Sequence, residues 1–307
     1  MVGWTHGPRV FRRFRASSHR REILAGWLFV APALVMYVVF VLQPLALTIQ
    51  YSFLRWNGIG PATWVGLSNY QIILSDPDLR GTIFNALRLV LFFSFGSVGL
   101  GLLIASVLQR VSLGRFGSVT RTVLFLPQII PLVASGIIWG WLLALRGLVN
   151  SVLRGVGMGG FTRAWLGDFD WALPAVGVIG VWVMLGFCTL LLQTGMSKID
   201  RSLYEAARLD GAGWFAELRW ITIPSLRQEI GVCLTVTIIA ALAAFDIVFV
   251  TTGGGPGNAT AVPGIQIYIS AFLSREIGVA SALSVMLMVL VVAAVLPIQR
   301  LTREAER

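Results

Sequence analysis

The chain is poor in charge: Asp, Glu, Lys and Arg make up 12% of its 307 residues, about half the share of a soluble globular domain. Lysine is nearly missing, with Lys198 the single example among 24 basic residues. Histidine occurs twice, at His6 and His19 in the N-terminal arm, and cysteine twice, at Cys188 and Cys233. Each scarcity removes a class of chemistry. No Cys/His cluster has the spacing of a metal site. The stretch "TTGGGPG" at 251–257 follows an apolar run as a phosphate loop follows a strand, but it lacks the Gly-Lys-Ser/Thr ending and has no lysine near it. It reads as a glycine turn, so the chain is not expected to hydrolyse ATP by itself. No nucleophile, metal and base set of a membrane enzyme can be assembled. Both cysteines fall in apolar runs and read as small packing residues rather than a disulfide. No internal repeat, long linker or low-complexity tract divides the chain.

What the chain has in excess is apolar length. Hydrophobic residues make up 56% of it, the mean hydropathy is +0.81, and a bilayer is the natural solvent. Six runs near the ~20 residues needed to cross a bilayer lie at 26–49, 83–108, 123–145, 173–194, 230–251 and 279–298. The expected fold is all-α, a polytopic bundle of six transmembrane helices. The net charge of +10 is a topology signal: with the N-terminus inside, the segments assigned to the cytoplasm hold 17 of the 24 basic residues. That bias follows the positive-inside rule, puts both termini in the cytoplasm and offers contact with lipid headgroups. No basic face accompanies a nucleic-acid module, so nucleic acid is not an expected partner. The resulting division is a basic cytoplasmic arm (1–22), a first transmembrane anchor (23–50) retained as a signal anchor, an external segment (51–82), a transmembrane core (83–300) and a cytoplasmic tail (301–307).

Several features stand out within this frame. The external segment at 54–81 is rich in Gly, Pro, Asn, Asp, Trp and Tyr and is expected to form an ordered cap. In the third run Pro127 and Pro131 lie four residues apart, which predicts a kink, either for packing or as a hinge for gating. Arg88 and Asp246 fall within the second and fifth runs, each about six residues, or roughly 9 Å, from the outer end of a straight helix. Intramembrane charges are costly, so they are expected to pair or snorkel, or Asp246 to face a water-filled path.

Between the fourth and fifth runs lies "YEAARLDGAGWFAELRWITIP", Tyr204 to Pro224. Asp200 or Ser202 can cap a short helix here, and Ser202 with Glu205 fits a Ser-x-x-Glu capping box. Leu203, Ala206 and Ala207 share one face, and the alanines admit close approach of a partner. Gly211 is placed to end the helix. A second stretch carries Trp214, Leu218 and Ile221 on one face until Pro224 breaks it. The charged residues, Glu217 among them, are expected on the solvated surface at 200–224.

The spacing of this segment resembles the EAA loop of binding-protein-dependent ABC importer permeases. Glu205-Ala206-Ala207, then Gly211 and Ile221 with nine residues between them, then Ile223 and Pro224, follow the pattern Glu-Ala-Ala-x3-Gly-x9-Ile-x-Leu-Pro, with Ile223 in place of Leu. "AAFDIVFVTTGGGPGNAT" at 243–260, "GWLFVAPALVMYVVFVLQPL" and "WVGLSNY" are similar to maltose-type, carbohydrate-uptake members. The resemblance implies a type I permease fold in the cytoplasmic membrane of a bacterium or archaeon. It implies a maltose-F-like subunit with a second, different permease, an ATP-hydrolysing subunit dimer and an external binding protein as partners. The loop at 200–224 would be the coupling helix that docks on the ATPase through Glu205, Ala206, Ala207, Asp210, Gly211, Ile221 and Pro224. ATP and Mg would belong to the ATPase, with no cofactor held by this chain. Aligned from the loop, the family's sugar-lining positions fall on Trp182, Val183, Met184, Phe187, Thr237, Ala241 and Ala244, with Asp246 nearby. Ala241 and Ala244 stand where the maltose permease has asparagines, and Trp182 and Phe187 can stack on a sugar or simply pack between helices. A permease for glycerol phosphate or a polyol is the nearer rival. An ion-gradient-driven transporter is disfavoured, because Asp246 is the single acid within the runs.

Overall fold

The computed structural model describes residues 26–110 and 114–303; the basic arm 1–22 and the end of the tail lie outside the described residues. α1 (Gly26–Tyr51) leads into an antiparallel hairpin, β1 (Leu54–Arg55) against β2 (Thr63–Trp64), with Leu54 opposite Trp64. α2 (Ser68–Ser75) follows, and then α3 (Pro77–Arg110), whose N-cap Asp76 accepts from the amides of Asp78 and Leu79. Next come α4 (Gly114–Ile129), α5 (Leu132–Leu142), α6 (Leu148–Gly155) and α7 (Ala172–Met196). The remaining helices are α8 (Arg201–Leu209), α9 (Trp214–Ser225), α10 (Arg227–Leu242), α11 (Phe245–Thr251), α12 (Pro263–Leu273) and α13 (Ile277–Arg303).

The apolar runs fold as helices because a segment in hydrocarbon must satisfy its own backbone N–H and C=O groups. α1, α3, α7 and α13 are each long and apolar enough to cross a membrane, and the bent pairs α4–α5 and α9–α10 raise the candidate spans from four to as many as six. Two expectations are corrected. The third run is not kinked but broken: α4 and α5 meet at 107°, with Pro127 inside α4 and Pro131 capping α5. The fifth run is two helices, because Ala243 and Ala244 leave helical geometry between α10 and α11. The cap at 54–81 holds β1 and β2, which pair as the single sheet among the described residues. Asn69 Nδ2 donates to the carbonyls of Ser52 and Leu54 and Tyr70 Oη to Ser52 Oγ, so this cap is ordered.

α7 is the axis of the bundle. Of its most apolar stretch 61% of the residues are buried, whereas none are in that of α1. α3, α4 and α10 pack along it. Gly186 makes the α4 contact possible, since a Cβ there would collide with the Leu124 carbonyl oxygen. One core gathers Leu89, Phe93, Val176, Ile179 and Val248; a second holds the free thiols of Cys188 and Cys233 with Leu192 and Leu226. The 251–257 stretch is a turn, with positive φ at Gly253, Gly254 and Gly257, closed by Thr260 Oγ1 on the Gly255 carbonyl at 2.7 Å.

Candidate functional site

The charged segment between α7 and α10 forms a helical hairpin. Asp200 opens it: its side chain accepts from the Ser202 amide at 2.9 Å, and these hydrogen bonds hold its carboxyl below the usual carboxylate range. The cap is therefore Asp200, and the expected Ser202–Glu205 box does not form. α8 ends in a Schellman motif. The Ala212 amide reaches the Ala207 carbonyl at 2.9 Å and the Gly211 amide reaches Arg208 at 3.0 Å, the two bonds that define this terminus. Gly211 supplies the required positive φ, +81°. α9 widens into a π-helical turn over Leu218–Thr222. Pro224 sits within the last turn of α9, and the 77° bend into α10 comes two residues later, at Leu226.

The hairpin has two unlike faces. On the inner one, Tyr204 Oη meets Thr222 Oγ1 at 3.0 Å and Arg208 Nε donates to Glu217 Oε1 at 2.8 Å. Arg110, at the end of α3, donates to Glu217 Oε2. Glu217 is 3% exposed, which overturns its expected place in solvent: two guanidinium partners compensate the burial. Burial alone would raise its carboxyl, but the hydrogen bonds and charges of Arg208 and Arg110 outweigh it and hold the group below its ordinary range. The hydrogen bond and charge of Glu217 in turn raise Arg208. Lys198 Nζ reaches Glu229 Oε1 at 3.4 Å, tying the base of the hairpin to α10.

The outer face is open. Glu205, Ala206, Asp210 and Gly211 are exposed, and Ala207, Ile221 and Pro224 are half-buried. Leu209 is 90% exposed and Phe215 71%, beside an exposed Leu203. Exposed large apolar side chains on a charged element make a surface that can take a partner. Leu209 and Phe215 escape a reading based on motif spacing, although Leu203, Ala206 and Leu209 recur at three-residue intervals along one side of α8.

The residues aligned with a solute path are placed differently. Val183, Met184, Thr237, Ala241 and Ala244 are buried within this chain. The Thr237 hydroxyl bonds the Cys233 carbonyl at 2.8 Å and Ser94 Oγ at 3.0 Å, joining α10 to α3. Trp182 and Phe187 are half-buried, and Trp182 stands edge-on to Trp139, with centroids 5.6 Å apart. Asp246 and Arg88 are exposed, and no ion pair among the described residues joins them. The break at Ala243–Ala244 explains why the expected pair fails. Asp246 rides on α11, which packs against α5, while Arg88 belongs to α3, which packs on α7 and α10. Matching depths along straight helices does not apply to a broken one.

Comparison with known proteins agrees with this architecture. Residues 97–303 match the family described as "Binding-protein-dependent transport system inner membrane component". The chain is 32% identical to the probable ABC transporter permease protein YurN of Bacillus subtilis, over 87% of this chain and 92% of that one. It is 34% identical to the trehalose/maltose transport system permease protein MalF of Thermococcus litoralis, over 88% of this chain and 91% of that one. A chain from the crystal structure of a bacterial ABC transporter involved in alginate import superposes with a TM-score of 0.79 at 21% identity, covering 95% of this chain and 99% of that chain. That likeness gives the fold, a type I ABC importer permease. On this match and these identities, the chain is an integral membrane protein belonging to the family of binding-protein-dependent transport system inner membrane components.

Proposed function

We propose that this chain is one of two permease subunits of an ABC importer that carries a sugar into the cell. An external binding protein would deliver the sugar, and a separate pair of ATPase subunits would supply the energy, holding ATP and magnesium. The observation that carries the reading is the outer face of α8, where Glu205, Ala206 and an almost fully exposed Leu209 stand ready for a partner. We assign residues 200–224 as the docking element for an ATPase subunit, with both termini on that side of the membrane, in keeping with the bias of arginines. The sugar class is supported by relatives named for trehalose, maltose and alginate transport. In this reading Trp182 and Phe187 face the solute path and Asp246 stands near its outer end, while Met184 and Thr237 hold the wall from behind. ATP-driven closure of the ATPase pair moves α8, and the bundle rocks between outward and inward access.

The test is co-purification of the ATPase from membranes with matched levels of this chain. Glu205→Lys reverses a charge on the docking face and Leu209→Glu adds one, and each is expected to lose most of the ATPase while the permease pair stays assembled. Full retention of the ATPase by both variants would refute the docking assignment.

A further inference from the structure

We infer that Glu217 is a positioning residue that joins the docking helix to the second membrane span, so that movement of α8 is passed directly to the cytoplasmic end of α3. The inference rests on the docking role of α8 proposed above. Four observations carry it. Glu217 is buried, whereas Asp200, Glu205 and Asp210 of the same hairpin are exposed. Its two oxygens are divided between two elements: Oε1 accepts from Arg208 on α8 and Oε2 from Arg110, the last residue of α3. That end of α3 is anchored again by Gln109, whose Nε2 donates to the Met196 carbonyl at the end of α7 at 3.2 Å. Lastly, α8 packs broadly on no other helix among the described residues, so its hold on the bundle runs through side chains: Tyr204 on Thr222, and Arg208 on Glu217.

A carboxylate so placed is a stiff joint. Its two charge-assisted hydrogen bonds are directional, and the carboxylate side chain, 4% exposed, has little access to water that could replace either partner. Releasing one guanidinium leaves a charge without its full set of partners, so the three groups favour moving together over sliding apart. The Tyr204–Thr222 bond closes the hairpin independently, so loss of Glu217 loosens the link to α3 without dissolving the hairpin. Arg110 is the part of the clamp that a purely local role for Glu217 does not need.

The experiment uses the whole transporter in proteoliposomes: both permeases, the ATPase pair and the binding protein. Arg110→Gln, Glu217→Gln and the double variant are compared for ATPase retention and for stimulation of ATP hydrolysis by the binding protein. Arg110→Gln leaves Glu217 bound to Arg208 and Arg110→Lys keeps the charge. The expected result is wild-type ATPase retention in all variants and about a fivefold or greater fall in stimulation in each glutamine variant. The double variant should fall no further than Glu217→Gln, and Arg110→Lys should recover part of the loss. Undiminished stimulation in either glutamine variant, or losses that multiply in the double, would overturn the inference. Loss of the ATPase itself would also overturn it, by showing that Glu217 merely shapes the docking face. If Glu217→Gln does not accumulate, Arg110→Gln decides alone. Failure of the docking role is read separately, from ATPase retention in Glu205→Lys.

Discussion

Gly211 allows a prediction in which one term dominates. It occupies the position after the helix end in the Schellman motif of α8, with φ of +81°. A Cβ built on it meets nothing within 4 Å, so a side chain there clashes with no neighbour and the penalty is the local backbone one. For an L-residue in left-handed geometry that penalty is about 1–2 kcal/mol, a factor of roughly 5–30 between the closed hairpin and one that has lost its turn. Residue types should then rank by how readily they adopt positive φ. Asn visits this region several-fold more often than most residues, and β-branched residues almost never do. Gly211→Asn is therefore expected to be mild, Gly211→Ala to cost near the lower figure and Gly211→Val to cost the most. The measurement is the apparent affinity of purified ATPase for the permease pair across the three variants, at equal permease concentration. Equal damage from Asn and Val would mean that bulk at the docking face matters and not backbone geometry. A silent Gly211→Val would remove the turn from the docking mechanism.

Two further perturbations test the bundle. Gly186→Ala drives a methyl into the backbone of α4 at Leu124 and Phe125 and should destabilise by about 1–3 kcal/mol, as overpacking does. It should show as a lower thermal midpoint of the complex in detergent; an unchanged midpoint would mean that α4 moves aside freely. Arg88→Gln and Asp246→Asn should affect sugar uptake independently, with effects that add within about 0.5 kcal/mol in a double-mutant cycle; a double variant milder than either single would restore the ion pair that the structure lacks.

The long helices α1, α3, α7 and α13 were legible because hydrocarbon imposes a length and an apolar composition that show in the residues themselves. The helical hairpin at 200–224 was legible because its turn needs a glycine at one place, and Gly211 stands there. What stayed hidden depended on distance in the chain. Glu217 has its partners nine and 107 residues away, and no local period distinguishes it from a solvated glutamate. The break after α10 falls at two alanines, which are good helix formers, with no proline or glycine to announce it. Pro127 and Pro131 did announce the break between α4 and α5, but a proline fixes a local dihedral and not the angle at which two helices separate. The open leucine of α8 was visible as a letter, but its exposure depends on which side of the hairpin Arg208 and Tyr204 claim.

The broken third span also constrains how the protein is made. α5 has 11 residues, about 16 Å of helix at 1.5 Å per residue, which is too short to cross about 30 Å of hydrocarbon by itself. The break leaves backbone groups that lipid cannot satisfy, and Ser135 Oγ and Trp139 Nε1 beyond it have no hydrogen-bond partner among the described residues. The shelter comes late: Gly136 sits against Val250 and Thr251 of α11, more than a hundred residues further on. During synthesis α4 and α5 are therefore expected not to enter lipid as a finished unit but to wait, held by the insertion machinery or by water, until α11 is made, so that these helices settle in the bilayer together.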